Sequence, residues 1–411
     1  MTLQVKKFGG SSVATPEKIR HIAERILAAK QPTDRIVVVV SAMGDSTDDL
    51  MALAKQCTHK AYGRELDMLL TTGEQVSIAL LAMTFIELGQ PAISFTGQQA
   101  GIQTSRSYGK GRILDINPER VFTALNEGNI VIVAGFQGLA DNGDMVTLGR
   151  GGSDTTAVAL AGALQADVCE IFTDVDGVYT ADPRVVPQAF KMKEITYGEM
   201  LEMARLGAGV MQPRAVEMGS RYRVPIHVRS TFTETEGTMI QEEYNMEGKQ
   251  AAIRGVAHDT NVAKVTVMGV ANRPGVAHMI FSYLAKANID VDMIVQSIRE
   301  SDDSKTDIVF TIAESDFPQA QEVLEAFKHD HGIKDILYAT DVAKVSVVGA
   351  GMLGTPGVAA DMFGAFADGN INIQIISTSE ISISCLIDER DAEKAVALIH
   401  ARFLESTDAA Q

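Results

Sequence analysis

The chain has 411 residues, 46% of them apolar, which is more material than one ordinary core needs and predicts two or three domains. Its 36 basic and 53 acidic residues give a formal net charge of −17, and with no concentrated basic patch this repels nucleic-acid backbones and anionic membranes. Cys57, Cys169 and Cys385 are odd in number, far apart and matched to no metal-ligand spacing, so we expect reduced, buried thiols in a cytoplasmic protein and no metal centre. No apolar run approaches ~20 residues and the N-terminus reads as a strand without a signal-peptide core, which argues for a soluble protein.

The first element is a strand around Val5–Phe8, followed at once by "GGSSV" and by "TPEKIRHIAERILAAK", an amphipathic helix with Pro16 at its first position. Bare backbone on the intervening turn, with the Lys7 cation beside it, suits a phosphate. The spacing is neither a Walker A loop nor a dinucleotide fingerprint, so a tight strand-to-helix turn is the alternative reading. "RIVVVVSAM" (35–43) is the next strand. "TTGEQVS" (71–77) then opens a helix over 74–89, where Glu74 either satisfies the helix dipole or binds a substrate ammonium group.

Further strands are expected at "PAISFTG" (91–97) and "NIVIVAGFQG" (129–138). "TLGRGGSDTTAVAL" (147–160) is a second glycine-rich turn opening a helix over 153–166. Arg150 offers a planar fork for a carboxylate or phosphate, and Ser153 or Asp154 is available as the helix cap. The strand "VCEIFTDVDG" (168–177) leads into "FTDVDGVYTADPR" (172–184), a loop able to meet a nucleotide or to be an Asp-Gly turn with a proline-terminated tail. Continuous apolar strands separated by helices imply a mainly parallel sheet covered on both faces, with ligands at the carboxyl ends of the strands.

The second half repeats itself. "AKVTVMGVANRPGVAHMIFSYLAKANIDVDMIVQS" (263–297) aligns with "AKVSVVGAGMLGTPGVAADMFGAFADGNINIQIIST" (343–378), each copy reading as strand, Pro-Gly turn, helix and strand, followed by a further strand and helix. That is the ferredoxin-like order, and two copies make a paired module rather than a solenoid. The polar, glycine-punctuated stretch 231–250 separates the halves. The boundaries expected are a first domain at 1–240, a linker and first strand at 241–262, and repeats at 263–341 and 342–411.

Taken in order, "KFGGSSV", "VVVVSAMG", "TTGEQVS", "GFQG", "TLGRGGSDTTA" and "FTDVDGVYTADPR" closely resemble the aspartate kinases of the amino-acid kinase family, and the duplication resembles their tandem ACT domains. The resemblance implies a three-layer αβα kinase fold followed by two βαββαβ ACT domains. It implies transfer of the ATP γ-phosphate to L-aspartate with Mg²⁺, as a homo-oligomer built through the ACT domains and inhibited by lysine and/or threonine. By the same resemblance, Lys7, Gly9, Gly10 and Ser11 hold the ATP phosphates, and Thr173, Asp174, Tyr179, Asp182 and Arg184 the rest of the nucleotide. Ser41, Thr47, Glu74, Phe136, Arg150, Gly152 and Ser153 form the aspartate site, and Lys7 and Asp154 are catalytic. Gly275, Val276, Val291, Asp292, Gln296 and Asn372 form the effector region, for which a ligand-free dimerisation module is the alternative.

One departure concerns Gly209 in "GAGVMQPR", where some members carry a second phosphate lysine and others also have glycine. Met246, preceded by "QEEY", offers an internal start for a separate regulatory subunit; the alternative is an ordinary methionine among 18. The rival functions are another amino-acid kinase of the same fold and a non-catalytic amino-acid sensor.

Overall fold

The computed structural model describes residues 2–242, 252–298, 304–331, 333–352 and 354–405. The chain forms two compact units: one of Met1–Tyr179, Lys191–Arg205 and Gly209–Gly248, the other of Thr180–Phe190, Leu206–Ala208 and Lys249–Gln411.

The first unit runs, in chain order, through β1 (Leu3–Phe8), α1 (Pro16–Ala29), β2 (Arg35–Val40), α2 (Ser46–Cys57), α3 (Arg64–Leu70), α4 (Thr72–Glu87), β3 (Ala92–Phe95), β4 (Ile102–Thr104), β5 (Ile113–Ile116) and α5 (Glu119–Asn126). It continues through β6 (Ile130–Ala134), β7 (Gln137–Ala140), β8 (Met145–Thr147), α6 (Gly152–Leu164), β9 (Val168–Thr173), β10 (Glu194–Thr196), α7 (Tyr197–Arg205), α8 (Pro213–Tyr222), β11 (Ile226–Ser230) and β12 (Thr238–Gln241). Eight strands form one sheet in the order β10-β12-β11-β9-β1-β2-β6-β3, parallel throughout except between β11 and β12. Its central strands are fully buried, Val37–Val40 and Val131–Val133 showing no exposure, because helices cover both faces and alternation has no purpose there.

Helix α1 starts as its sequence demands: the Thr15 side chain accepts the Lys18 N–H, Pro16 occupies the first turn, and Ile19, Ile22, Ala23 and Ile26 form the buried stripe. The stretch Arg64–Glu87 is long and apolar enough to cross a membrane, but half of it is buried inside the unit, Glu74 included, so it is core material. Neither Ser153 nor Asp154 caps α6. Gly151 does so, at a φ of +68°, where a Cβ would fall 1.8 Å from the Gln212 side chain.

The expected single strand over 129–138 is in fact two. The backbone turns at Phe136, left-handed at φ 67°, so that β6 stays in the large sheet and β7 joins a second sheet, β5-β4-β7-β8, that short strands had concealed. Cys169 and Cys385 are buried free thiols as expected, whereas Cys57, last residue of the amphipathic surface helix α2, is exposed.

The second unit contains β13 (Gly255–Ala271), α9 (Val276–Lys286), β14 (Ile294–Ile298), β15 (Lys305–Ala313), α10 (Phe317–His331), β16 (Asp335–Val348), α11 (Val358–Asp368), β17 (Ile375–Thr378), β18 (Ser382–Asp388) and α12 (Ala392–His400). Its six strands form one antiparallel sheet, β14-β15-β13-β16-β18-β17. The two long strands are shared. The far part of β13 pairs with β15 and with Asp335–Ala339 of β16, while its near part, Gly255–Asp259, pairs with Lys344–Val348. Each repeat therefore has the ferredoxin-like order 4-1-3-2, and the fourth strand of the second repeat comes from ahead of the first.

Each repeat also has its own core. The first is built on Val265, Ile280, Leu284, Phe310, Leu324 and Phe327. The second, on Val345, Met362, Phe366, Ile387 and Ile399, takes in Ile253 and Val256 and also Ala181 and Val186 from the "YTADPR" region.

Candidate active site

The carboxyl ends of β1, β2 and β9 lie level, since Lys7 is in register with Val39 and Ile171, and Phe8 with Val40 and Phe172. The Phe8 and Phe172 rings stack at 4.6 Å below this rim. Chain reversal after each strand brings the predicted groups together: Gly9, Gly10 and Ser11 after β1, Ser41 after β2, Phe136 after β6, and Thr173 and Asp174 at the end of β9. Between β1 and α1 the chain makes a single 3₁₀ turn, Gly10–Ser12. Gly10 is closely packed, because its Cβ would sit 3.0 Å from the carbonyls of Ala42 and Gly44, which would have to give way.

Lys7 is 9% exposed and its Nζ lies 2.6 Å from Asp154 Oδ1 in the first turn of α6. The same ammonium would lie 3.4 Å from a Cβ on Gly9, which fixes it beside the glycine turn. A cation, a helix N-terminus and exposed turn backbone thus face one point, the arrangement that an anion requires.

Around it, the Ser41 hydroxyl donates to Ser153 Oγ at 2.9 Å, and the Phe136 N–H donates to Thr156 Oγ1 at 3.2 Å. Glu74, 2% exposed, accepts the Ala42 N–H on Oε1 at 3.1 Å, while its Oε2 has no hydrogen-bond partner among the described residues. Burial pushes the Glu74 pKa up to about 7, against the pull of its backbone hydrogen bonds. An anionic oxygen held without a partner is a seat for an incoming cation. Arg150 is exposed and makes no ion pair among the described residues, and Gly152 is buried against Leu148 and Phe136. Thr47 lies half-buried in the first turn of α2.

The loop after β9 divides. Thr173 donates to Asp174 at 3.0 Å, and the Tyr179 hydroxyl donates to Asp176 at 2.9 Å. Asp182 and Arg184 fall in the second unit, where the Arg184 guanidinium and N–H both donate to the Asp182 carboxylate, at 2.7–3.2 Å, and hold it below the usual carboxylate range. The Arg184 side chain is 88% exposed. A Cβ on Gly209 would meet nothing within 4 Å among the described residues.

Three positioning groups were missed by sequence reasoning. Asp67, 1% exposed, accepts the Gly109 N–H and both the N–H and hydroxyl of Thr147, pinning the strand that leads to Arg150. Its signal was spacing: Asp67, Thr71 and Glu74 recur on one helical face and are all buried. Asp176 joins Tyr179 to Lys191 Nζ at 3.1 Å, and Thr156 holds the strained Phe136.

In the second unit Gly275 and Gly357 cap α9 and α11 at φ +95° and +106°, with open space where a Cβ would be. Val276 and Val291 pack into or against the first core, Gln296 and Asn372 are exposed, and Asp292 pairs with Lys344. A 370 Å³ cavity lies between Lys264, Val295 and Val309 on one side and Ile373–Ile376 on the other.

The amino acid kinase family profile matches residues 2–230, and the ACT domain profile matches 265–326 and 345–403. The chain is 51% identical over 407 residues to the aspartokinase of Mycolicibacterium smegmatis, covering 98% of this chain and 96% of that one. It is 49% identical over 405 residues to the aspartate kinase of Pseudomonas putida, covering 98% of each. Among solved structures, E. coli aspartokinase III in complex with aspartate and ADP (R-state) matches with a TM-score of 0.84 at 26% identity, covering 97% of this chain and 99% of that one. The same enzyme in complex with lysine and aspartate (T-state) gives 0.76, also at 26%, over 98% and 99%. With a kinase fold, a paired ACT module and relatives alike from end to end, the chain belongs to the aspartokinase family.

Proposed function

We propose that this ATP-dependent kinase transfers the γ-phosphoryl group to the β-carboxylate of L-aspartate, giving 4-phospho-L-aspartate and ADP, the first step toward lysine, threonine and methionine. The observation that carries the reading is the Lys7 ammonium, held 2.6 Å from Asp154 beside the glycine turn at the end of β1. A substrate carboxylate with a pKa of about 3.9 is already ionised near neutrality, so the nucleophile needs no general base. The barrier is the approach of two anions, which positioned cations and backbone donors lower.

In this reading Lys7 takes phosphate charge as it passes to the transferred group, and Asp154 keeps the ammonium aimed. Glu74 Oε2 receives the aspartate ammonium and Arg150 a carboxylate, while Ser41, Thr47, Phe136, Gly152 and Ser153 shape the pocket. Gly9, Gly10 and Ser11 flank the phosphates, and Thr173, Asp174 and Tyr179 the remaining nucleotide. Asp182 and Arg184 shape the far end of that segment through their mutual pair. Mg²⁺ would be carried in by ATP, held by phosphates and water, with Asp154 or Asp174 as the protein carboxylate that would hold it. The ion would neutralise phosphate charge.

Lysine and/or threonine are the proposed effectors, supported by the ACT match and by the lysine complex of the E. coli relative. Exposed Ile294, Val295, Leu337 and Ile376 on the six-stranded sheet support a homo-oligomer through the ACT unit. Met246 lies outside the described residues; a short chain starting there would show in the mass spectrum of the native preparation, and its absence removes that proposal. The cytosol, where ATP and aspartate occur, is the proposed location. Hydroxylamine trapping with ATP, Mg²⁺ and a panel of amino acids tests the whole reading: a hydroxamate formed with aspartate supports it, and one formed only with another amino acid, or none, overturns it. Adding lysine and threonine singly and together tests the effectors.

A further inference from the structure

Asp67, in α3, is a buried carboxylate with no ion-pair partner among the described residues. Every hydrogen bond it accepts there comes from a neutral donor. The Gly109 N–H reaches Oδ1 at 3.1 Å and Oδ2 at 2.9 Å, while Thr147 gives its N–H to Oδ2 and its hydroxyl to Oδ1, both at 2.9 Å. Taking a carboxylate out of water is costly, and an aliphatic residue would pack this helix without that cost. What the charge provides is a grip on two chain segments at once, both distant from α3 in sequence.

Those two segments meet at the turn that carries Arg150. The Gly111 N–H donates to the Thr147 carbonyl at 2.9 Å, so Thr147 is held from both sides. Gly149 is left-handed at φ +77°, and a Cβ there would fall 2.9 Å from the Gly109 carbonyl oxygen, so the two backbones touch with no side chain between them. The Gly152 N–H then donates to the Gly149 carbonyl at 2.9 Å and closes the turn around Arg150. The Arg150 side chain is exposed and makes no ion pair among the described residues, so it is aimed by the backbone of this turn rather than by a partner. All of these residues belong to the first unit.

We infer that Asp67 is a positioning residue for the substrate aspartate: by gathering Gly109 and Thr147 on one carboxylate, it sets where the Gly149–Gly152 turn presents Arg150 to a substrate carboxylate. The inference rests on the proposed role of Arg150. It makes a residue that never touches the substrate part of what sets the affinity for aspartate and leaves the affinity for ATP alone.

The test uses the full-length enzyme. In Asp67→Asn one acceptor oxygen replaces two, and the new NH₂ faces N–H donors. KM for aspartate is expected to rise about tenfold, the scale of one buried hydrogen bond, with kcat and KM for ATP within about twofold. Thr147→Val, which loses only the hydroxyl donor, should move KM for aspartate the same way by about threefold, and Thr147→Ser, which keeps it, should stay near wild type. A merely structural role would lower melting temperature and spare KM for aspartate; that result overturns the inference, as does a KM change shared equally by both substrates. If Asp67→Asn does not fold, Thr147→Val with unchanged KM for aspartate overturns it alone. Arg150→Met separates the two levels. If it leaves KM for aspartate unchanged, the reading of Arg150 falls and the inference with it; if it raises KM and the Asp67 and Thr147 variants do not, only the inference falls. In the Arg150→Met background Asp67→Asn should add little, and a further full tenfold rise would show that Asp67 acts by another route and overturn the inference.

Discussion

The strand-end rim of the first unit and the shared sheet of the second use their polar groups differently. At the rim, Glu74 keeps one carboxylate oxygen unpaired, Arg150 has no ion-pair partner among the described residues, and the buried Lys7 is matched to one carboxylate. In the six-stranded sheet several polar side chains are matched to each other: Ser346 meets Ser384 at 2.7 Å, Lys344 pairs with Asp292, and Lys264 with Gln374. Unmet capacity marks the place where a ligand completes the structure, whereas matched pairs mark where two parts of the chain were fitted together.

The sharpest way to break this contrast is Lys7→Ala. We expect kcat to fall by about 10³ or more, as for loss of a group that meets charge only in the transition state, in a variant that still folds but melts lower because Asp154 loses its partner. Near-normal turnover in the purified variant would remove Lys7 from the site. Next in size is Glu74→Gln, which keeps an acceptor for the Ala42 N–H but loses the charge; KM for aspartate should rise by about 10- to 100-fold with KM for ATP nearly unchanged. In the wild type, KM for aspartate should also climb as pH falls below about 7, where Glu74 takes up its proton, and a flat KM profile from pH 6 to 8 would contradict the ammonium seat.

The same substitution has a stability signature. The folded pKa of Glu74 is raised above the ordinary value of 4.5, so the folded state binds the proton more tightly than the unfolded chain does. The resulting penalty is absent below about 4.5, grows as pH rises to about 7, and is complete above it. Glu74→Gln should therefore gain stability relative to wild type on moving from pH 5 to pH 8, by on the order of 2–3 kcal/mol, and denaturant unfolding at both values would show it. The smallest effect is expected on the matched side. Lys344→Met should cost about 1 kcal/mol or less, because Asp292 is 58% exposed and water replaces the lost partner. A cost of several kcal/mol would mean that the pair holds the two repeats together.

The alternating strands and helices of the first unit were legible because Val37–Val40 and Ile130–Val133 are apolar runs that only a sheet buried on both faces explains. The candidate site residues stand out as a set because their motifs follow one another in a family's order; Lys7, Ser41, Thr173 and Asp174 sit where parallel strands end, whereas Thr47 and Glu74 lie on helices and Asp182 and Arg184 fall in the second unit. Four-residue strands such as Ile113–Ile116 carry too short a period to be seen, so the second sheet stayed hidden. The destination of Thr180–Phe190 was hidden for another reason. Ala181 and Val186 are two small apolar residues in a polar loop, and only the cavity they fill in a distant core gives them meaning. The exchange of β13 into the second repeat is likewise a long-range pairing with no local signature.

That exchange ties the history of the two copies together. A cut near residue 341 would split β16, leaving the first copy its fourth strand, Asp335–Ala339, but the second without Gly255–Asp259. The second copy is no transferable part on its own, because any rearrangement that moves it must carry along the strand that lies ahead of the first copy.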